Sequence, residues 1–213
     1  MATTVIMVRH GFSIANEQER FAGHWDIPLT PLGKQQAECA ARWFKGRAVT
    51  AVYASDLMRA YDTALPIAAA LGLSVQKEPG LREIRAGEWE TLPFEELSRR
   101  YPKEYKCWME DLGRSGCPGG ERVAELYARV WSAVSGLAAR HEGETICLAT
   151  HATPIRAICA RALGHPAEEM ALVPWVSNAS VSIFEYENGT IRPVALDQTE
   201  HLGALRTKLP TNV

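Results

Sequence analysis

Short, wholly apolar runs alternate along the chain with longer stretches in which apolar positions return every three or four residues, a rhythm that predicts an α/β protein. Val5-Ile6-Met7-Val8, Ala51-Val52-Tyr53-Ala54 and Thr145-Ile146-Cys147-Leu148-Ala149-Thr150 read as strands buried on both faces, as in a mostly parallel sheet. Between them, Ala37, Ala40, Ala41 and Phe44 form one apolar helix face, and Leu57, Ala60, Ala64, Ala68 and Leu71 a second. Val123, Leu126, Val130, Val134 and Leu137 form a third. Ile155, Ile158, Cys159 and Ala162 mark a fourth, with Pro154 in its first turn, where a missing N–H costs nothing. Val181 to Tyr186 alternates like a late strand at the sheet edge, and Glu187-Asn188-Gly189-Thr190 predicts a hairpin turn into Ile191 to Val194. Pro93 to Tyr105 reads as one helix, Trp108 to Gly120 as a Gly/Pro-rich connection, and the tail after Thr199 as loosely held.

The chemistry concentrates where the apolar runs stop. Arg9-His10-Gly11 follows the first strand, and ligands of open α/β sheets bind beyond the carboxyl ends of the strands. Taken alone, His10 is equally well explained as a histidine closing a strand. His151 follows a second strand in the same way, and Ser55-Asp56 follows a third, supplying the N-cap signal for a helix with Arg59 in its first turn. A cation there opposes the helix dipole, whereas a bound anion gains from both the exposed N–H groups and the guanidinium. A solvent-facing Arg59 paired with a surface carboxylate is the competing reading. Together, Arg9, His10, Arg59 and His151 suit a phosphoryl group, because guanidinium forks match phosphate oxygens and a neutral imidazole can accept phosphorus covalently. A general acid for the leaving oxygen must come from elsewhere. The segment Leu81 to Glu90 carries Glu83, Glu88 and Glu90, and spacing alone does not choose among them.

A set of motifs in preserved order resembles the histidine phosphatase superfamily, also called phosphoglycerate mutase-like. These are Val8-Arg9-His10-Gly11 with Ser13 and Asn16, Leu29-Thr30-Pro31-Leu32-Gly33 with Gln36-Ala37, Ser55-Asp56-Leu57-Met58-Arg59-Ala60 with Thr63-Ala64, Leu81-Arg82-Glu83-Ile84 with Gly87 and Trp89, and Thr150-His151. The resemblance runs from about Val5 to about Ser180 and implies a three-layer αβα sandwich with a mostly parallel central sheet. It implies that His10 attacks phosphorus, that Arg9, Arg59 and His151 hold the phosphoryl oxygens, and that Glu83 is the proton donor and later the base. Asn16, Gly23, Ser13 and Ala152 fall at substrate-binding positions, and neither a cofactor nor a metal is required. Phe12, Thr91 and Arg122 depart from the usual pattern, where Glu, Gly and Ser are common. These positions bear on substrate preference more than on the chemistry.

Length and charge then narrow the reading. A chain of 213 residues, net charge −2 and 46% hydrophobic residues suits a single domain over 1–213 with a helical lid at 91–120. Cofactor-dependent phosphoglycerate mutases carry a longer middle segment with arginines for a second anion. Here Arg99-Arg100 lies among Glu95, Glu96 and Glu104 and reads as a solvated helix face, so a phosphatase is favoured over a mutase. A non-catalytic phosphate-binding domain is the alternative from another class. Within the phosphatases, the lid resembles short bacterial members, broad-specificity acid-type phosphatases and α-ribazole phosphatases among them. Phe12, Phe21, Trp25 and Trp108 are candidate apolar walls, with a core role favoured for Trp108. The six histidines show no i, i+4 pair, and the five cysteines no CxxC or disulfide framework. With no signal-peptide pattern, no run near the ~20 apolar residues of a membrane span and no basic excess for nucleic acid, the expected setting is the cytoplasm. The expected partner is a small phosphorylated metabolite, and exposed strand edges would allow a homodimer.

Overall fold

In the computed structural model, which describes residues 1–208, the apolar runs become strands of one sheet. These are β1 (Thr3–Arg9), β2 (Ala51–Ala54), β3 (Val75–Lys77), β4 (Thr145–Thr150), β5 (Val181–Glu187) and β6 (Thr190–Gln198), ordered β3-β2-β4-β1-β5-β6. The first four are mutually parallel, while β5 runs antiparallel to β1 and β6 to β5. Helices α2 (Pro31–Phe44) and α3 (Met58–Leu71) cover one face, and α6 (Val123–Arg140) and α7 (Ala152–Ala162) the other. The strand period of two divides the core: Val5, Met7, Ile146 and Leu148 pack with α6 and α7, and Ile6, Val8, Cys147 and Ala149 with α2 and α3. Each large aliphatic side chain so buried contributes about 1.5–3 kcal/mol. The three-layer αβα expectation is met.

Several local expectations need correction. β5 is an interior strand and β6 is the edge; the alternation of Val181 to Tyr186 marks an antiparallel strand with unequally covered faces. The Asn188-Gly189 turn forms as expected, with both residues at positive φ (50° and 77°) as a two-residue hairpin requires, but the return strand runs on to Gln198. The helix expected over Pro93 to Tyr105 is two, α4 (Phe94–Arg100) and α5 (Pro102–Glu110), with a short α1 (Ile14–Glu17) earlier in the chain. Pro102 forces the break, since it disfavours helical geometry at Tyr101 and starts the second helix at its first position. The Trp108 to Gly120 connection accordingly begins later, after Glu110. Neither Ser55 nor Asp56 caps α3; Asp26 Oδ1 accepts the Met58 N–H at 2.6 Å instead.

The tail is held as far as it is described. Leu202 packs against Cys39 and Ala179, and Gln36 Nε2 donates to the Leu205 carbonyl at 2.8 Å. Residues 209–213, on which the loose-tail expectation also falls, lie outside the described residues. Thr91, one of the departures from the pattern, stands at φ 69°, a left-handed conformation costly for a β-branched residue and open to Gly.

Candidate active site

β1 and β4 are neighbours with Arg9 level with Thr150, so the residues that follow them, His10 and His151, emerge side by side. The His10 N–H donates to the Thr150 carbonyl at 2.9 Å, and the two imidazoles meet edge to face with centroids 5.2 Å apart. From β1 the chain leads toward β2 on one side of this pair, and from β4 it leads to β5 on the other; such a switch point opens a crevice. After His10 the backbone turns against the start of α2. A Cβ on Gly11 would lie 2.4 Å from the Gly33 carbonyl oxygen, so only glycine fits. Thr63 Oγ1 accepts the Gly11 N–H at 3.0 Å and donates to the Arg59 carbonyl at 2.7 Å, fixing the His10 turn to the helix that carries Arg59.

The crevice is an open cleft. Of the residues singled out in the sequence, Arg9, His10, Ser13, Asn16, Gly23, Arg59, Glu83 and Ala152 all line it. His151 does not: it is fully buried behind His10, with Nε2 bonded to Ser55 Oγ at 2.8 Å and Nδ1 unpartnered among the described residues. Arg59 is 1% exposed, which excludes the solvent-facing reading.

His10 Nδ1 lies 2.7 Å from the Gly11 carbonyl oxygen, so Nδ1 carries the proton and Nε2 keeps its lone pair. Burial, then the nearby Arg59 and Arg9 guanidiniums, push the imidazole pKa well below its ordinary 6.5 despite that hydrogen bond. The ring is therefore neutral at pH 7, with a lone pair at Nε2. His151 is pushed the same way, first by burial and then by Arg59. Unfolded imidazoles take up a proton below about pH 6.5 while these two do not, so the unfolded state binds more protons and stability falls with acidification. A thermal melt series from pH 7 to pH 5 is expected to show a Tm decline that is shallower in His10→Ala. Identical slopes for the two proteins would contradict this.

Both guanidiniums are anchored by carbonyls rather than carboxylates. Arg9 Nη1 donates to Val176 at 2.5 Å, and Arg59 donates through Nη2 to Gly23 at 2.9 Å and through Nη1 to Trp25 at 3.1 Å. The Nε of each is buried without a partner among the described residues. Burial brings both down to about 10, with the Glu83 carboxylate acting in the other direction, so both remain charged at neutral pH. Two buried cations with orphaned donors call for an anion that brings several oxygens. Asn16 Oδ1 accepts from Ser13 N–H, Ser13 Oγ and Asn178 Nδ2, which orients its amide and leaves Nδ2 as a spare donor.

The structure also separates the three carboxylates. Glu83 lines the cleft, accepting the Ile84 N–H at 2.9 Å, whereas Glu90 accepts the His24 N–H and Glu88 the Tyr101 hydroxyl. The apolar wall comprises Phe21, Phe94, Trp108 and Trp175. Trp108 is a core residue as favoured, 3% exposed, and yet lines the cleft. Phe12 and Trp25 do not line it: the Phe12 N–H is bound to Gln36, and Trp25 serves through its carbonyl. Missed from sequence were Arg20, Phe94, Thr153 and Trp175 on the wall, and Asn178, whose Nδ2 donates to the His10 carbonyl. Val173-Pro174-Trp175 announces a loop, but nothing in its spacing places that loop over the cleft.

A family model described as the histidine phosphatase superfamily (branch 1) matches residues 5–199. The chain belongs to that superfamily. It is 33% identical to phosphoserine phosphatase 1 of Hydrogenobacter thermophilus over 93% of this chain and 94% of the relative. It is 35% identical to phosphoglycerate mutase-like protein 4 of Arabidopsis thaliana over 87% of this chain and 80% of that one. Among solved structures, mycobacterial glucosyl-3-phosphoglycerate phosphatase complexed with VO3 superposes with a TM-score of 0.85 at 28% identity, covering 92% of this chain and 99% of that one. Family and relatives make this histidine phosphatase a phosphoric monoester hydrolase. Among its described residues, no helix is long and apolar enough to cross a membrane.

Proposed function

We propose that this histidine phosphatase hydrolyses a small phosphorylated metabolite in two half-reactions. His10 Nε2 attacks phosphorus, the P–O ester bond breaks, and the departing oxygen takes the proton of the Glu83 carboxyl. The Glu83 carboxylate then takes a proton from water, the water oxygen bonds to phosphorus, and the N–P bond breaks to release inorganic phosphate. Arg9, Arg59 and the spare Asn16 amide hold the non-bridging oxygens, where stabilisation of developing charge does most of the work. His151 acts from behind His10; its unpartnered Nδ1 is the ring nitrogen left to meet a phosphoryl group once that group is on His10. Gly23, Ser13 and Ala152 shape the cleft around the substrate.

The reading is carried by one observation: a neutral imidazole, two buried guanidiniums with orphaned Nε donors and one carboxylate share a single cleft. The described chain works as one domain, with residues 91–120 as lid, since Phe94 and Trp108 from that segment wall the cleft. Against a mutase, Arg99 and Arg100 are exposed and absent from the cleft wall, and Arg99 pairs with Glu96. Five unpaired cysteines suit the cytoplasm.

The leaving group rests against Phe21, Phe94, Trp108 and Trp175. A panel of phosphomonoesters that includes aryl, sugar and α-ribazole phosphates together with phosphoserine is expected to release inorganic phosphate, with Trp175→Ala raising KM most for the bulkiest apolar leaving groups. Incubation with 3-phosphoglycerate and bisphosphoglycerate is expected to yield phosphate with little 2-phosphoglycerate. Efficient isomerisation without phosphate release would overturn the phosphatase reading.

A further inference from the structure

The segment that carries Glu83 has no regular secondary structure between a short 3₁₀ turn at Pro79–Leu81 and another at Gly87–Trp89, so its placement depends on what grips its backbone. The Thr150 hydroxyl donates to the Leu81 carbonyl at 2.6 Å and the His24 ring lies 2.9 Å from the Glu83 carbonyl, but one side chain makes more of these backbone contacts than either. Arg129, on α6, donates through Nη1 to the carbonyls of Gly80 at 2.9 Å and Arg82 at 3.0 Å, and through Nη2 to the carbonyl of Glu83 at 3.3 Å. The same guanidinium meets Glu121 in a fork, Nε to Oε1 and Nη2 to Oε2, both at 2.9 Å. Glu121 continues the clamp on the other side of Glu83: its Oε2 accepts the Arg85 N–H at 3.1 Å, and its own N–H donates to the Arg85 carbonyl at 2.7 Å. The ion pair thus brackets residues 80 to 85, with Glu121 directly after the lid segment.

Arg129 does not line the cleft. We propose that it is a positioning residue for the general acid: with Glu121 it holds the backbone of the 80–85 segment so that the Glu83 carboxyl stands at the leaving oxygen. Only a planar five-donor fork can satisfy three carbonyls and a carboxylate at once; a lysine keeps the charge but loses that geometry. A loosened acid costs rate without altering how phosphate is bound, because Arg9, Arg59 and His10 are held by other contacts. The inference rests on the reading of Glu83 as proton donor.

The test uses leaving-group dependence. Proton donation matters greatly when an alkoxide must leave and little for a nitrophenolate. In Arg129→Gln and Arg129→Lys, kcat/KM for an alkyl phosphomonoester is expected to fall about 10- to 100-fold, no more than the 10²–10⁴ that a positioned acid supplies in full. For p-nitrophenyl phosphate the fall should be no more than about threefold, and the inhibition constant of inorganic phosphate should be unchanged. Glu121→Gln, which keeps one acceptor oxygen and loses the other together with the charge, is expected to show the same pattern more weakly. Added to Glu83→Gln, the Arg129 change should cost nothing further on the alkyl substrate.

Equal losses on both substrates, or a further loss in the double variant, would mean that Arg129 serves general packing, and the proposal would fall. If Glu83→Gln itself lowers both substrates equally, the assignment of the acid is what has failed. A variant that does not fold leaves the other two to decide.

Discussion

His10→Ala is expected to lose turnover of every phosphomonoester by about 10⁴- to 10⁶-fold, the scale seen when a covalent nucleophile is removed. The loss should fall on kcat. The orphaned Nε donors of Arg9 and Arg59 remain in the variant, so titration calorimetry should still detect inorganic phosphate. His10 is 5% exposed and its imidazole fills space beside His151, so some loss of Tm accompanies the change; activity is therefore read well below the melt. A wild type that binds phosphate but turns nothing over would favour the non-catalytic alternative. A variant that retains a tenth of the activity would remove His10 from the mechanism.

Glu83→Gln is the second large effect. Gln retains an oxygen to accept the Ile84 N–H that Glu83 Oε1 now takes, so the segment should stay in place. What is lost is the proton. For alkyl phosphomonoesters kcat/KM should drop by about 10²–10⁴, the range for a positioned acid. p-Nitrophenyl phosphate should lose far less in kcat/KM, since its leaving group departs without help. Its steady-state kcat should still fall, because the same carboxylate activates water in the second half-reaction, and a burst of nitrophenolate should appear. Glu90→Gln and Glu88→Gln should not change leaving-group dependence, their carboxylates being committed to the His24 N–H and the Tyr101 hydroxyl. A Glu88 variant that reproduced the Glu83 pattern would relocate the acid.

Much of the fold was legible because buried parallel strands read as uninterrupted apolar runs and their covering helices as periodic ones. The placement of Arg9, His10 and Arg59 followed from the strand ends. Sequence could not show that β4 and β1 are neighbours, the adjacency that sets His151 behind His10 and keeps it off the cleft wall. Local signals also misled where a polar side chain was spent on a distant partner. Ser55 and Asp56 look like caps, but Ser55 Oγ bonds His151 Nε2, and Asp56 pairs with Arg82, which holds its carboxyl below the usual range. The cap comes from Asp26, 32 residues away. Asn178 and Arg129 were invisible for the same reason: they act on backbone carbonyls 168 and 46 residues distant, and no spacing rule reaches so far. The choice of Glu83 over Glu88 and Glu90 came from family resemblance; of the three, Glu83 lines the cleft.

The most direct measurement is acid-free quenching of turnover with a ³²P-labelled phosphomonoester, followed by peptide mapping. The expected label is stable to alkali and lost in acid, carried on Nε2 of His10 because Nδ1 is committed to the Gly11 carbonyl, and absent from His10→Ala. Rapid phosphate release with no labelled protein at any time, or a label on another residue, would contradict it.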